Sequence, residues 1–195
     1  MSTRRGRARS HRVHDPDASS HLSEQERGAA DEVDPATKAR EICLRQLSHG
    51  PRTAAQLAAA MARKGVEEHI AHEVLERFTD VGLIDDAAFA EAWVESRHAG
   101  RGLARRALAH ELRTRGVDTG IIAVAVAELD PERELETARA LVVKRLAATR
   151  GLDTSARFRR VASLLARKGY SESLSYRVIR EALEAEGHEA PVPTD

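Results

Sequence analysis

Residues 107–129 read ALAHELRTRGVDTGIIAVAVAEL, and the glycine near their middle decides how the chain is built. Gly116 stands four residues after Leu112 and eight after Leu108; Val117 follows at once and Ile121 five residues on. The same offsets recur twice. In QLAAAMARKGVEEHIAHEVLERF (56–78), Leu57 and Met61 precede Gly65 while Val66 and Ile70 follow it. In RVASLLARKGYSESLSYRVIREA (160–182), Val161 and Leu165 precede Gly169 while Tyr170 and Leu174 follow. Apolar residues on a helical period on both sides of a glycine describe helix, turn, helix. Recurrence at a spacing of about 50 residues describes a repeat. Two residues past each glycine stand Glu67, Asp118 or Ser171, and Asp and Ser there suit the N-cap of the second helix.

A further helical segment lies ahead of each pair: 36–48, 86–98 and 131–149. Asp130-Pro131, with Glu132 and Glu134 behind it, is a helix start by proline geometry and by charge. Between Arg52 and Ala190 the sole proline is Pro131, so little else in that span opposes helix. The expected architecture is all-α: three tandem modules of three helices at 35–84, 85–129 and 130–187. Residues 1–34 are polar and aperiodic and are expected to form a disordered tail, with 188–195 a second, shorter one.

The composition agrees. In 195 residues, 42% are apolar but only 3% aromatic, a balance rich in the unbranched side chains that lose little freedom in a helix. No run reaches the length of a membrane span. The basic opening MSTRRGRARSHRVH is followed by no apolar stretch, so no secretory leader is expected. The lone Cys43 fits a reducing cytoplasm and, between Ile42 and Leu44, reads as a small core residue.

The formal net charge of zero conceals sorting. Every Asp, Glu, Lys or Arg from Glu67 to Glu95 is acidic except Arg77. From Arg97 to Arg115 the bases Arg97, Arg101, Arg105, Arg106, Arg113 and Arg115 oppose Glu111 alone. A third block, from Arg139 to Lys168, is basic except for Asp153. Blocks of one sign create local fields that the total hides. On a helical wheel Arg105, Arg106 and Arg113 lie opposite Leu108 and Leu112, and Arg159, Arg160 and Arg167 face away from Phe158, Val161 and Leu165. Two arginine stripes on equivalent helices make a surface track for phosphates or carboxylates. No aromatic interleaves them, so base stacking is not expected.

Asp85-Asp86 is the most enzyme-like pair in the chain, and the residues around it give it a quieter role. Asp85 reads as an N-cap, Asp86 as a first-turn carboxylate favoured by the helix dipole, and Ile84 with Phe89 as a hydrophobic staple. Trp93 shares a face with Phe89 and is expected to anchor packing between modules. His69, His72, Glu73 and Glu76 occupy neighbouring turns and could hold a metal, but an acidic exposed face explains them without one. No phosphate loop and no nucleophile triad occurs. The expectation is no catalytic residue, no metal and no cofactor.

Several motifs in fixed order carry a family resemblance. Ile84-Asp85-Asp86, Phe89-Ala90, Trp93-Val94 and Arg97 come first, then the run from Gly102 through Leu108, Glu111-Leu112-Arg113 and Gly116-Val117. ARFRRVASLLARKGY (156–170) and SYRVIREAL (175–183) follow. Over residues 36–187 the chain resembles the bacterial regulatory family RecX, in its actinobacterial form. Glu91 departs from the arginine often found after Phe-Ala. The resemblance implies an elongated, curved helical array lying in the groove of the RecA–DNA filament. It also implies a non-enzymatic modulator of recombination and the SOS response that inhibits RecA ATPase, strand exchange and filament growth. Its partner would be the RecA nucleoprotein filament, with weak non-specific DNA contact, no membrane, and a monomeric chain. The partner-binding residues expected on this reading are Arg97, Arg101, Arg105, Arg106, Arg113, Arg115, Arg159, Arg160, Arg167 and Lys168. Gly65, Gly116, Gly169, Ile84, Asp85, Asp86, Phe89 and Trp93 are expected to be structural. The acidic 67–95 face would meet basic recombinase surface or stay clear of phosphate.

The competing reading is a helix-turn-helix transcription factor over RTAAQLAAAMARKGVEEHIAHEVLERFTDVGLI, with Thr53 and Gln56 as a capping box. Its recognition helix would carry Glu67, Glu68, Glu73, Glu76 and Asp80. That charge repels the phosphates which supply most DNA affinity.

Overall fold

The computed structural model describes residues 34–188, and within them all regular structure is helical. The helices are α1 (Pro35–Leu47), α2 (Ala54–Ala62), α3 (Glu68–Asp80), α4 (Asp86–Arg101), α5 (Arg105–Thr114), α6 (Thr119–Ala127), α7 (Pro131–Ala147), α8 (Thr154–Arg167) and α9 (Glu172–Ala185). The tails expected at 1–34 and 188–195 fall, apart from Asp34 and His188, outside the described residues.

Most helix starts are written locally. Asp34, Asp85, Asp118, Asp130, Asp153 and Ser171 each accept a first-turn N–H through the side chain. Thr53 and Gln56 form both halves of a capping box. The α2, α5 and α8 ends share one device. Gly65, Gly116 and Gly169 take φ of +74°, +76° and +85°, a region that costs other residues roughly 1–2 kcal/mol. The residue after each glycine donates back to the carbonyl of Met61, Leu112 or Leu165, and the glycine itself to that of Ala62, Arg113 or Ala166. This is the Schellman closure, and its usual companion is an apolar contact across the turn. Met61 with Val66, Leu112 with Val117 and Leu165 with Tyr170 are all buried. The apolar residues four before and one after each glycine are the two halves of that contact.

Each consecutive triplet of helices closes around its own core. The first contains Ile42, Cys43, Leu57, Met61, Val74 and Phe78; the second Ala90, Val94, Leu108, Leu112, Ile122 and Ala125; the third Val142, Leu146, Val161, Leu165, Ile179 and Leu183. Helix packing is concentrated within the triplets. Burial of each large side chain here contributes about 1.5–3 kcal/mol against conformational entropy. Cys43 is fully buried beside Met61, which pushes its thiol pKa up.

Two joints link the triplets, and both follow one rule. A Cβ on Gly116 would overlap Ala55 of α2, and one on Gly169 would overlap Ala107 of α5. Beside the first contact, Thr53 Oγ1 donates to Arg115 O at 2.7 Å and Ala54 N to Asp86 Oδ1 at 2.9 Å. Beside the second, Ala104 N donates to Lys168 O at 2.8 Å and Arg105 N to Glu134 Oε1 at 3.1 Å. In each joint an acid on the first helix of one triplet caps the second helix of the triplet before it. Equivalent joints between neighbours make a tandem array.

One local expectation needs correction. Ile84 packs into the first core and Phe89 against the second, so the boundary between triplets runs between them. Trp93 is an anchor within the second core rather than between modules. Its ring stacks on Phe89 at 5.7 Å, because both project from the same face of α4.

Candidate partner-binding groove

The expected surface cations divide into those that serve the fold and those that do not. Arg97 and Arg115 place their guanidinium carbons 4.0 and 3.6 Å from the centroid of the Trp93 ring. Glu111 accepts from Trp93 Nε1 at 2.8 Å and lies 3.4 Å from Arg97 Nε. Arg115 also donates to Glu111 O at 2.8 Å. Burial pulls the pKa of Arg115 down, although a guanidinium stays charged. Arg105 donates to Val126 O at 3.2 Å and to Leu129 O, closing the end of α6, and approaches Glu134 at 3.8 Å. Lys168 donates from Nζ to Arg101 O. These four spend their donors inside the chain.

Arg106 and Arg113 on α5 and Arg159 and Arg167 on α8 are exposed, and all four line one groove of about 1860 Å³. The close approach of Gly169 to Ala107 brings the turn after α8 against the first turn of α5. Two members of each arginine stripe line the groove, Arg106 and Arg113 from the second triplet and Arg159 and Arg167 from the third, while Arg105 and Arg160 do not. Ala107, Phe158, Ala162 and Tyr176 add apolar lining among serines such as Ser155 and Ser173; Phe158 and Tyr176 meet edge to face at 5.8 Å. None of the four arginines forms an ion pair with a described residue. Arg159 and Arg167 donate only to Ser155 Oγ and Ser163 Oγ, one turn away. Glu111 and Glu172 also line the groove, but Glu111 is held by Trp93 and Arg97. Apolar side chains beside unpaired guanidiniums fit an acidic surface with apolar side chains of its own.

Arg160 and Arg101 are exposed and lie outside this groove. Arg160 shares a smaller hollow with Arg145 of α7, a residue that sequence reasoning did not select. The helical wheel of one segment cannot show which residue of another helix stands beside it. Two further residues were missed for the same reason. Arg157 is buried, with Nη2 donating to Leu146 O at 3.2 Å and to Glu186 at 2.5 Å. His98 is buried between Leu103 O at 2.9 Å and Thr137 Oγ1 at 3.0 Å; since a carbonyl only accepts, Nδ1 carries the hydrogen.

The acidic block sits on α3 and its approaches. Glu67, Glu68, Glu73, Glu76 and Asp80 are exposed. His69 pairs with Glu67 at 3.4 Å and His72 with Glu76 at 3.2 Å, all four well exposed. Among the described residues no three potential metal ligands come together, and no helix is long and apolar enough to cross a membrane. The helix that would read DNA in a helix-turn-helix protein thus presents carboxylates to solvent.

Comparison with known proteins places this arrangement. Three family models match in order: RecX first three-helix domain at residues 39–78, second at 85–126 and third at 132–179. The regulatory protein RecX of Streptomyces coelicolor is 61% identical over 156 residues, covering 80% of this chain and 83% of that one. RecX of Thermobifida fusca is 56% identical over 167 residues, covering 86% and 90%. The crystal structure of RecX from Lactobacillus salivarius shares the fold at a TM-score of 0.71 and 20% identity, over 76% of this chain and 97% of that one. With its repeat, its three cores and its sequence matched in one order, the chain belongs to the RecX family of regulatory proteins.

Proposed function

We propose that this chain is a non-enzymatic regulator of homologous recombination and the SOS response that acts in the cytoplasm by binding in the groove of the RecA–DNA filament. It lowers RecA ATP hydrolysis and strand exchange and limits filament growth. The observation that carries this reading is the groove between α5 and α8. Arg106, Arg113, Arg159 and Arg167 line it without carboxylate partners, beside apolar side chains such as Phe158 and Ala162 that suit a protein surface. A helical partner offers the same surface at regular intervals, and a tandem array can meet successive subunits. Linked weak contacts then gain effective concentration. The acidic face of α3 favours a protein partner over duplex DNA, since it repels phosphate.

The decisive measurement is ATP hydrolysis by the cognate RecA on single-stranded DNA, titrated with this protein well below stoichiometry. A dose-dependent fall, strongest when the protein is present during filament growth, is expected. R106E/R113E should shift the half-inhibitory concentration upward by roughly tenfold or more, as loss of two charged contacts predicts. Absence of any effect, together with absence of filament binding, rejects the reading.

A further inference from the structure

The groove and the first triplet carry opposite halves of one pattern. In the groove, Arg106 and Arg113 stand on α5 and Arg159 and Arg167 on α8, each pair spanning roughly 10 Å of helix. Phe158, Ala162 and Tyr176 lie among them. On α3 the outward stripe is Glu73, Glu76 and Asp80, at i, i+3 and i+7, again roughly 10 Å long. All three are exposed, on the side away from the buried Ala71, Val74 and Phe78. Glu73 and Asp80 form no ion pair with a described residue, and Glu76 meets only His72. The stripe runs directly into Val81 and Leu83, which are 63% and 49% exposed. Exposed apolar side chains rimmed by charge mark interaction surfaces.

Carboxylates beside apolar side chains are the chemistry that the groove fits, and this chain carries them on its own surface. No residue of α3 lines the groove, and α3 packs on α1 and α2 of its own triplet. Within one copy the stripe and the groove therefore do not meet. Between two copies nothing opposes the contact at long range, because the net charge is zero. The local fields of opposite sign steer the acidic end of one copy toward the basic groove of another. The forked donors of arginine match the two oxygens of each carboxylate. A contact between two different patches of the same chain is heterologous, and it joins copies head to tail.

We propose that α3 of one copy docks in the α5–α8 groove of a second copy. Glu73, Glu76 and Asp80 meet the groove arginines, and Val81 and Leu83 meet its apolar lining. The family resemblance implies a monomer; the head-to-tail pair departs from that and dissolves on dilution and in salt. A docked copy covers the surface assigned above to the filament, so self-association holds the protein in a masked state. That masking rests on the filament reading; the contact itself does not, because it is measured on the protein alone.

Sedimentation equilibrium of the full chain, without recombinase, tests the contact. At low salt the mass should rise above 21.4 kDa as the protein is concentrated. It should return to the monomer value at about 1 M salt, where the Debye length is about 3 Å. E73K/E76K and R106E/R113E should each weaken self-association by roughly tenfold or more. All four positions are exposed, and circular dichroism should show parental helicity in both variants. An equimolar mixture of the two should regain association, because the acidic stripe of R106E/R113E meets the intact groove of E73K/E76K. Damage to the fold of either variant cannot produce that rescue. A parent that stays monomeric at low salt throughout the concentration range overturns the proposal, and so does a mixture no better associated than its components. A chain that pairs head to tail yet leaves RecA hydrolysis untouched rejects the filament reading and leaves this one standing. A chain that inhibits RecA but never pairs does the reverse.

Discussion

At the scale of single residues, the clearest case is three glycines with one conformation and two environments. Gly65 and Gly116 have nearly equal positive φ, but a Cβ on Gly65 meets nothing within 4 Å whereas one on Gly116 overlaps Ala55. Gly65→Ala should therefore cost only the left-handed backbone term, ~1 kcal/mol. Gly116→Ala adds overpacking at the joint and should cost ~3 kcal/mol in all. Urea unfolding of the two variants measures the difference; equal midpoints would show that the joint yields freely. The sequence marks all three glycines as turns, since the signal is local, yet it cannot tell which of them touches another module. Asp85 and Asp86 divide in the same way. The cap made by Asp85 on Ala88 N at 2.8 Å is legible from three residues of sequence. The bond from Asp86 to Ala54 N spans 32 residues and is not.

At the scale of elements, most helix starts follow from caps and from Pro35 and Pro131, and the ends of α2, α5 and α8 from the glycine turns. α3 and α5 start without a side-chain cap, and α5 is the instructive case. It begins at Ala104, which has no capping side chain, and Glu134 of α7 supplies the acceptor instead. Its arginines also part company. Arg105 and Arg106 are adjacent and identical in type, but the first closes the end of α6 and the second is exposed in the groove. Arg105→Glu should lower stability by about 1–2 kcal/mol, discounted for its partial exposure, with Arg106→Glu within about 0.5 kcal/mol of the parent. Thermal and urea unfolding distinguish them; comparable losses would mean that Arg105 contributes nothing as a cap. The arginine stripe on a wheel was thus a sound guide to the face and a poor guide to which members are free.

At the scale of the molecule, three cores joined by two equivalent contacts should respond to damage locally, as arrays with nearest-neighbour coupling do. Asp86→Asn weakens the cap on α2 across the first joint, with Asp86 itself at the start of α4. Hydrogen exchange should speed up at the N–H groups opening α2, by roughly tenfold for a loss of about 1.4 kcal/mol, while α7 to α9 keep their protection. Protection lost evenly through all nine described helices would instead mean that the triplets unfold as one unit. The pair Glu95–Arg133 adds a charged clasp at the second joint. Hydrogen bonding from Arg133 draws the Glu95 carboxyl below its ordinary pKa. That contribution is therefore present at neutral pH and is lost as pH falls through the lowered value.

The helices, their order and the threefold repeat were determined by the sequence alone, because the interactions that specify them act within a few residues: caps, Schellman turns and apolar spacing on a 3.6-residue period. Which arginines are free was decided only by the tertiary structure. Arg115 lies against a tryptophan 22 positions earlier in the chain and gives its carbonyl to Thr53 across 62 residues, and Arg145 joins its hollow from a different helix. Charge is written residue by residue, but the partner that neutralises a charge, or leaves it open to a ligand, is set by packing between distant segments.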